Sequence, residues 1–183
     1  VYDGLKSYTQ PEYGYRAFVD GHAFTGDADL RTKDPMDPTP NWRTVLVGAL
    51  GPGGRGYYVL DVTDPTSFTA SQVIMDRTLS ANVTNTFDGA DDVGHIYSTP
   101  VTDGPLTQRS QQIVQLNNKR WAVVMGNGVN SVNERPVLLI QYLDGARELK
   151  TIVASTVKGL PNNESNGLSA PRLIDVSGDG VMD

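Results

Sequence analysis

The sequence contains no cysteine. That excludes disulfides, thiolate metal sites and cysteine nucleophiles, and it leaves the redox compartment open. Histidine is nearly as scarce. His22 and His95 are the two imidazoles, and neither belongs to an H-x-x-x-H pair, so zinc has no ligand set to draw on. Long apolar runs are missing as well. The longest are residues 121–125 and, counting Gly48, residues 45–50, far short of the ~20 that a membrane-spanning helix needs. Fifteen basic residues stand against 21 acidic ones, a net charge of −6, and the basic residues form no cluster. Phosphate backbones are gripped by concentrated Lys and Arg, so nucleic acid is not an expected partner. The chain opens at Val1 without a charged-then-apolar leader, and the expectation is that any targeting segment has been removed or was never included.

A helical stripe is absent too, because Gly (19) and Pro (11) interrupt nearly every window long enough to hold one. What is present is a series of short segments rich in Val, Ile, Leu, Tyr and Trp. They predict strands over residues 15–19, 42–50, 56–62, 72–75, 96–101, 112–116, 120–125, 137–143, 148–154 and 172–176. Turn signals separate them: Gly51-Pro52-Gly53-Gly54, Asp64-Pro65 and Asp144-Gly145. The predicted class is all-β, with a sandwich, barrel or propeller preferred over α/β. Residues 21–41 and 79–94 read as loops, and their acidic side chains are expected to be mainly solvated.

A soft repeat adds detail. Trp42-Arg43-Thr44-Val45-Leu46-Val47-Gly48 and Trp121-Ala122-Val123-Val124-Met125-Gly126 each precede a second β run ending in an acidic turn. The two Trp residues stand 79 positions apart, about twice the ~40–45 residues of a propeller blade. On that spacing residues 1–183 form a single partial propeller domain of roughly three to four blades.

The residues with most chemistry lie at 175–183. Asp175, Ser177, Asp179 and Asp183 place side-chain oxygens at positions 1, 3, 5 and 9 of a loop, Gly180 allows a sharp turn at position 6, and Val181 offers its carbonyl at position 7. Calcium takes six to eight hard oxygen donors, and a short loop must fold back on itself to supply them. Three carboxylates held ~5 Å apart at an effective dielectric of ~20 repel by about 3 kcal/mol per pair, and a dication reverses that sign. A hydrated Asp/Gly-rich turn is the alternative, and the agreement of glycine with the alternation favours the cation. The segment does not read as an EF-hand proper, since Pro171 and a β run precede it in place of a helix, and position 12, where a bidentate Glu would stand, lies beyond residue 183.

Other motifs carry less. Gly51-Pro52-Gly53-Gly54-Arg55-Gly56 matches G-x-G-x-x-G, but a β run follows where a dinucleotide site needs a helix N-terminus, so a hairpin loop is expected. No G-x-S-x-G elbow occurs, and no catalytic residue is assigned. Asn82 and Asn163 begin N-x-[ST] triplets, frequent by chance.

Several of these segments, in order, resemble the C-terminal β-propeller of the PilC/PilY family of type IV pilus biogenesis proteins and adhesins. They are Asn41–Gly48 with Gly53–Pro65, then Ser98-Thr99-Pro100-Val101, then Trp121–Ser131 with its G-N-G-x-N-S core, and Asn166-Gly167-Leu168-Ser169-Ala170-Pro171 running into the acidic loop; Phe18-Val19-Asp20-Gly21 resembles the approach to the first. The resemblance implies a fragment of a modified seven-bladed propeller of short antiparallel strands, exported through the periplasm and outer membrane to the bacterial surface. It implies a non-enzymatic calcium-binding protein, associated with pilus components such as minor pilins and in some members with host-cell receptors. Calcium would modulate pilus extension and retraction, and hence twitching motility, adhesion and virulence. The implied Ca2+ ligands are Asp175, Ser177, Asp179, the Val181 carbonyl and Asp183, with Ser177 standing where Asn or Asp is common. Two other classes share calcium with a propeller: quinone-dependent dehydrogenases, and integrin-α-like modules that bind glycan or matrix and carry one Asp-Gly-Asp loop per blade.

Overall fold

Alternation of apolar and polar side chains selects which segments pair. In the computed structural model, which describes residues 2–31, 39–79, 87–102, 111–157 and 166–183, β1 (Ala23–Asp29), β2 (Trp42–Ala49), β3 (Tyr57–Asp61) and β4 (Val73–Asp76) form one antiparallel sheet in chain order. A second sheet repeats the pattern with β5 (Ile113–Gln115), β6 (Trp121–Gly126), β7 (Val137–Tyr142) and β8 (Leu149–Val153). Helical structure among the described residues amounts to one α turn, Tyr2–Leu5, and four single 3-10 turns. The all-β expectation holds.

The sheets meet along their first strands, β1 and β5. A Cβ on Gly26 of β1 would stand 3.1 Å from the Ile113 side chain of β5, so glycine lets the two strands close up. Inward residues at period two then fill the space between the sheets: Val45, Val47 and Val59 from the first, Val123, Met125 and Leu139 from the second, all buried. A polar seam crosses the same interface. Tyr57 donates from its hydroxyl to Gln141 Oε1 at 2.7 Å, both side chains fully buried, and Gln141 Nε2 donates to the carbonyls of Tyr142 and Arg147. Burial pushes the Tyr57 phenol far above its ordinary range, which keeps it protonated as a donor. Trp42 and Trp121, each opening the second strand of its sheet, meet edge-on at 5.3 Å between ring centroids.

Among the described residues there are two four-stranded sheets, and the two Trp residues 79 positions apart open equivalent strands of them. The first sheet takes its strands from residues 23–76 and the second from residues 113–153, so much of that spacing is the segment 77–112 that joins them. Seven of the predicted strands correspond to β2 through β8. Residues 15–19 are irregular instead, with Tyr15 87% exposed: Phe18 turns back onto the Gly51–Gly53 turn, and the segment pairs with no strand among the described residues. Residues 96–101 form no ladder either; pairing stops at the single bridge His95–Val129, and Pro100 has no N–H to donate. Residues 172–176 are likewise outside any ladder.

The opposite correction applies to residues 21–41. The expectation there is a loop, yet β1 lies inside these residues. Ala-Phe-Thr-Gly-Asp-Ala-Asp has poor strand propensity, and pairing along seven residues of β2 overrides it. The glycine-rich match at 51–56 is indeed the β2–β3 hairpin loop. Asp92, in the other predicted loop, is buried rather than solvated. Arg135 grips its carboxylate at 2.9 and 3.0 Å and Asn133 adds a third bond, so its pKa falls although burial alone would raise it. The triplets at Asn82 and Asn163 lie outside the described residues.

Candidate metal centre

The acidic loop is carried to its place by the segment before it. Asn127, fully buried at the end of β6, donates from Nδ2 to the carbonyls of Asp92 and Arg135 and accepts at Oδ1 from the amides of Val137 and Leu168. Gly126 beside it admits the incoming chain: a Cβ there would lie 2.0 Å from the Ser169 carbonyl oxygen. Gly128, at φ +70°, accepts the same chain through its bridge to Leu168. The G-N-G run is therefore the seat of residues 166–171. Sequence reading noticed the run without assigning it that role, because its partners lie about 40 residues away.

The chain then rises past the first strand of the second sheet. Met182 pairs in parallel with Leu116, its amide donating to the Gln115 carbonyl at 2.9 Å, and the Val181 side chain is buried. The Asp183 amide closes onto the Ile174 carbonyl at 3.2 Å. Between these points 175–181 forms a loop held by its own carboxylates. Asp175 Oδ1 accepts from the amide of Gly178 at 2.6 Å and of Asp179 at 3.3 Å, and from the Ser177 hydroxyl at 3.3 Å. Its Oδ2 accepts from Gly180 N at 2.7 Å. Gly178 and Gly180 make this possible with φ of +75° and +83°, a region that costs a residue bearing Cβ about 1–2 kcal/mol. The Gly180 amide above all, then those of Gly178 and Asp179, holds the Asp175 carboxyl below its ordinary range.

Asp183 Oδ2 accepts from the amides of Val176 and Ser177, and Asp179 Oδ1 from Val181 N. The other Asp179 oxygen faces Lys119 Nζ at 3.8 Å. The predicted ligand set is thus brought into one nine-residue loop, but its three carboxylates serve different amides. Among the described residues no group of three His, Asp or Glu side chains converges where one ion could be held. The donor chemistry nevertheless fits a hard dication, since every polar side chain of the loop offers oxygen and Asp175 is preset as an anion. Lys119 is the residue of this neighbourhood that sequence reading missed. It sits in the β5–β6 turn, more than fifty residues away, and no local signal linked it to Asp179.

A model of the PilY1 beta-propeller domain matches residues 1–183. The chain belongs to the PilY1 β-propeller family. It is 33% identical over 180 residues to a type IV pilus biogenesis factor PilY1 homolog of Xylella fastidiosa, covering 94% of this chain and 10% of that protein. It is 31% identical over 186 residues to type IV pilus biogenesis factor PilY1 of Pseudomonas aeruginosa strain PAO1, covering 100% of this chain and 13% of that protein. Among solved structures, the P. aeruginosa PilY1 C-terminal domain superposes with a TM-score of 0.62 at 31% identity, over 90% of this chain and 27% of that one. The chain spans about a tenth of the length of the curated relatives it matches. The two four-stranded sheets are accordingly blades of a PilY1-type propeller.

Proposed function

We propose that this chain is part of a non-enzymatic type IV pilus biogenesis factor whose acidic loop binds calcium, through Asp175, Ser177, Asp179, the Val181 carbonyl and Asp183, and thereby alters pilus extension, retraction or adhesion. The observation that carries it is the match to PilY1 over the whole chain, with the amide-cradled Asp175 supporting the cation reading at the level of residues. On this reading the protein works outside the cell body at the pilus, with pilins and host surfaces as its partners. Calcium acts by differential affinity: it favours the arrangement of 175–183 in which the carboxylates face one point, and the Met182–Gln115 bond passes that order to the β5–β6 turn.

Calcium titration of the full-length protein tests this. Saturating calcium at ~100 times Kd adds about 2.7 kcal/mol to stability, so the melting temperature should rise by several degrees and return with chelator. Asp175→Asn should abolish that shift, and a strain carrying it should lose calcium-dependent control of surface pili. A melting temperature indifferent to both calcium and the substitution would refute the cation reading; unchanged piliation after deletion of the gene would refute the pilus role.

A further inference from the structure

Lys119 occupies a backbone position that lysine does not favour. In the β5–β6 turn the Leu116 amide donates to the Arg120 carbonyl and the Lys119 amide to the Leu116 carbonyl, which leaves Lys119 with φ of +63°. That is the left-handed residue of a short hairpin loop, where glycine or asparagine avoids the Cβ penalty. The turn itself asks nothing of a long cationic side chain. Its direction is informative: the ammonium lies 3.8 Å from Asp179 Oδ2, and both side chains remain more than half exposed. The hairpin and the loop are held beside each other by the Met182–Gln115 backbone bond, so this juxtaposition is built into the sheet edge. The adjacent cation, Arg120, is engaged elsewhere, by Asp144 and Glu148.

We propose that Lys119 is a tethered counter-cation of the acidic loop, which pairs with Asp179 when the divalent ion is absent and competes with that ion for it. The inference rests on the calcium reading above. Lys119 neutralises part of the carboxylate repulsion in the cation-free loop and opposes the approach of a second positive charge. It thereby sets the calcium concentration at which the loop responds, and makes that threshold depend on ionic strength. Lys119 is a positioning residue for Asp179 and not a ligand.

Calcium affinity of the full-length protein by titration calorimetry tests it, using wild type, Lys119→Gln, Lys119→Arg, Lys119→Asn and Asp175→Asn. Removal of the charge in Lys119→Gln should tighten binding about three- to tenfold at low salt, and that gain should shrink near 0.5 M salt. Lys119→Asn suits the turn and should tighten binding similarly, which guards against a poorly folded Gln variant. Lys119→Arg should stay close to wild type. Equal affinities in wild type and the two neutral variants overturn the inference while leaving the calcium site intact, as does an Arg variant that tightens as much as Gln, since the positive charge would then not be the cause. If no protein binds calcium in a manner that Asp175→Asn removes, the underlying reading fails and this one with it.

Discussion

Arg120 shows how much a single side chain organises in this molecule. Its guanidinium lies 3.7 Å from the centre of the Tyr142 ring, donates from Nε to Asp144 Oδ1 at 2.7 Å and forks onto both oxygens of Glu148. A planar, permanently charged fork suits all three partners at once, which lysine would not. The pair with Arg120 lowers the Glu148 pKa from 4.5 to about 2. A folded-state value below the unfolded one means stability that is present above pH ~4.5 and lost as pH falls from there toward about 2. Asp92 and Asp175, also lowered, act in the same direction. Urea midpoints measured between pH 7 and 2 should therefore fall with acidification. In Glu148→Gln the fall should be shallower, and the gap between the two proteins should close at the acid end. Parallel curves would assign the acid sensitivity elsewhere.

Among the elements, the junction of β6 with residues 166–171 joins the fold to the acidic loop. Gly126 is there to leave room. A Cβ would meet the carbonyl oxygens of Ser169 and Leu168 at 2.0 and 2.3 Å, and backbone atoms cannot swing aside as a side-chain tip can. Gly126→Ala should cost about 1–3 kcal/mol, the usual range for overpacking a tight site. Because the displaced element is the C-terminal segment, proteolysis between residues 166 and 183 should speed up more than global unfolding does. Limited digestion followed by mass spectrometry reads this directly. Cleavage that remains confined to the other loops would show that the segment is held by something besides this contact.

For the whole molecule, both sheets share one core, so they are expected to melt together. Leu139 is fully buried in that core, and Leu139→Ala should lower stability by about 2–5 kcal/mol through lost burial and the cavity left behind. The Trp42–Trp121 pair offers an internal reporter, one ring from each sheet. Its near-ultraviolet circular dichroism should disappear at the same denaturant concentration as the far-ultraviolet strand signal, in the parent and in Leu139→Ala alike. An earlier loss of the tryptophan signal would mean that the blades separate before either one unfolds.

Local pattern was enough for seven strands and for the nine-residue acidic loop, because alternation, turn glycines and the spacing of oxygens are properties of neighbouring residues. Three-dimensional packing decided the rest. It made a strand of Ala23–Asp29, whose composition opposes one, by offering the edge of β2. It buried Asp92 under Arg135, seated residues 166–171 on Asn127, and set Lys119 beside Asp179. Each of those pairings joins residues far apart in sequence, and a pairing across the fold leaves no period or spacing along the chain from which it could be read.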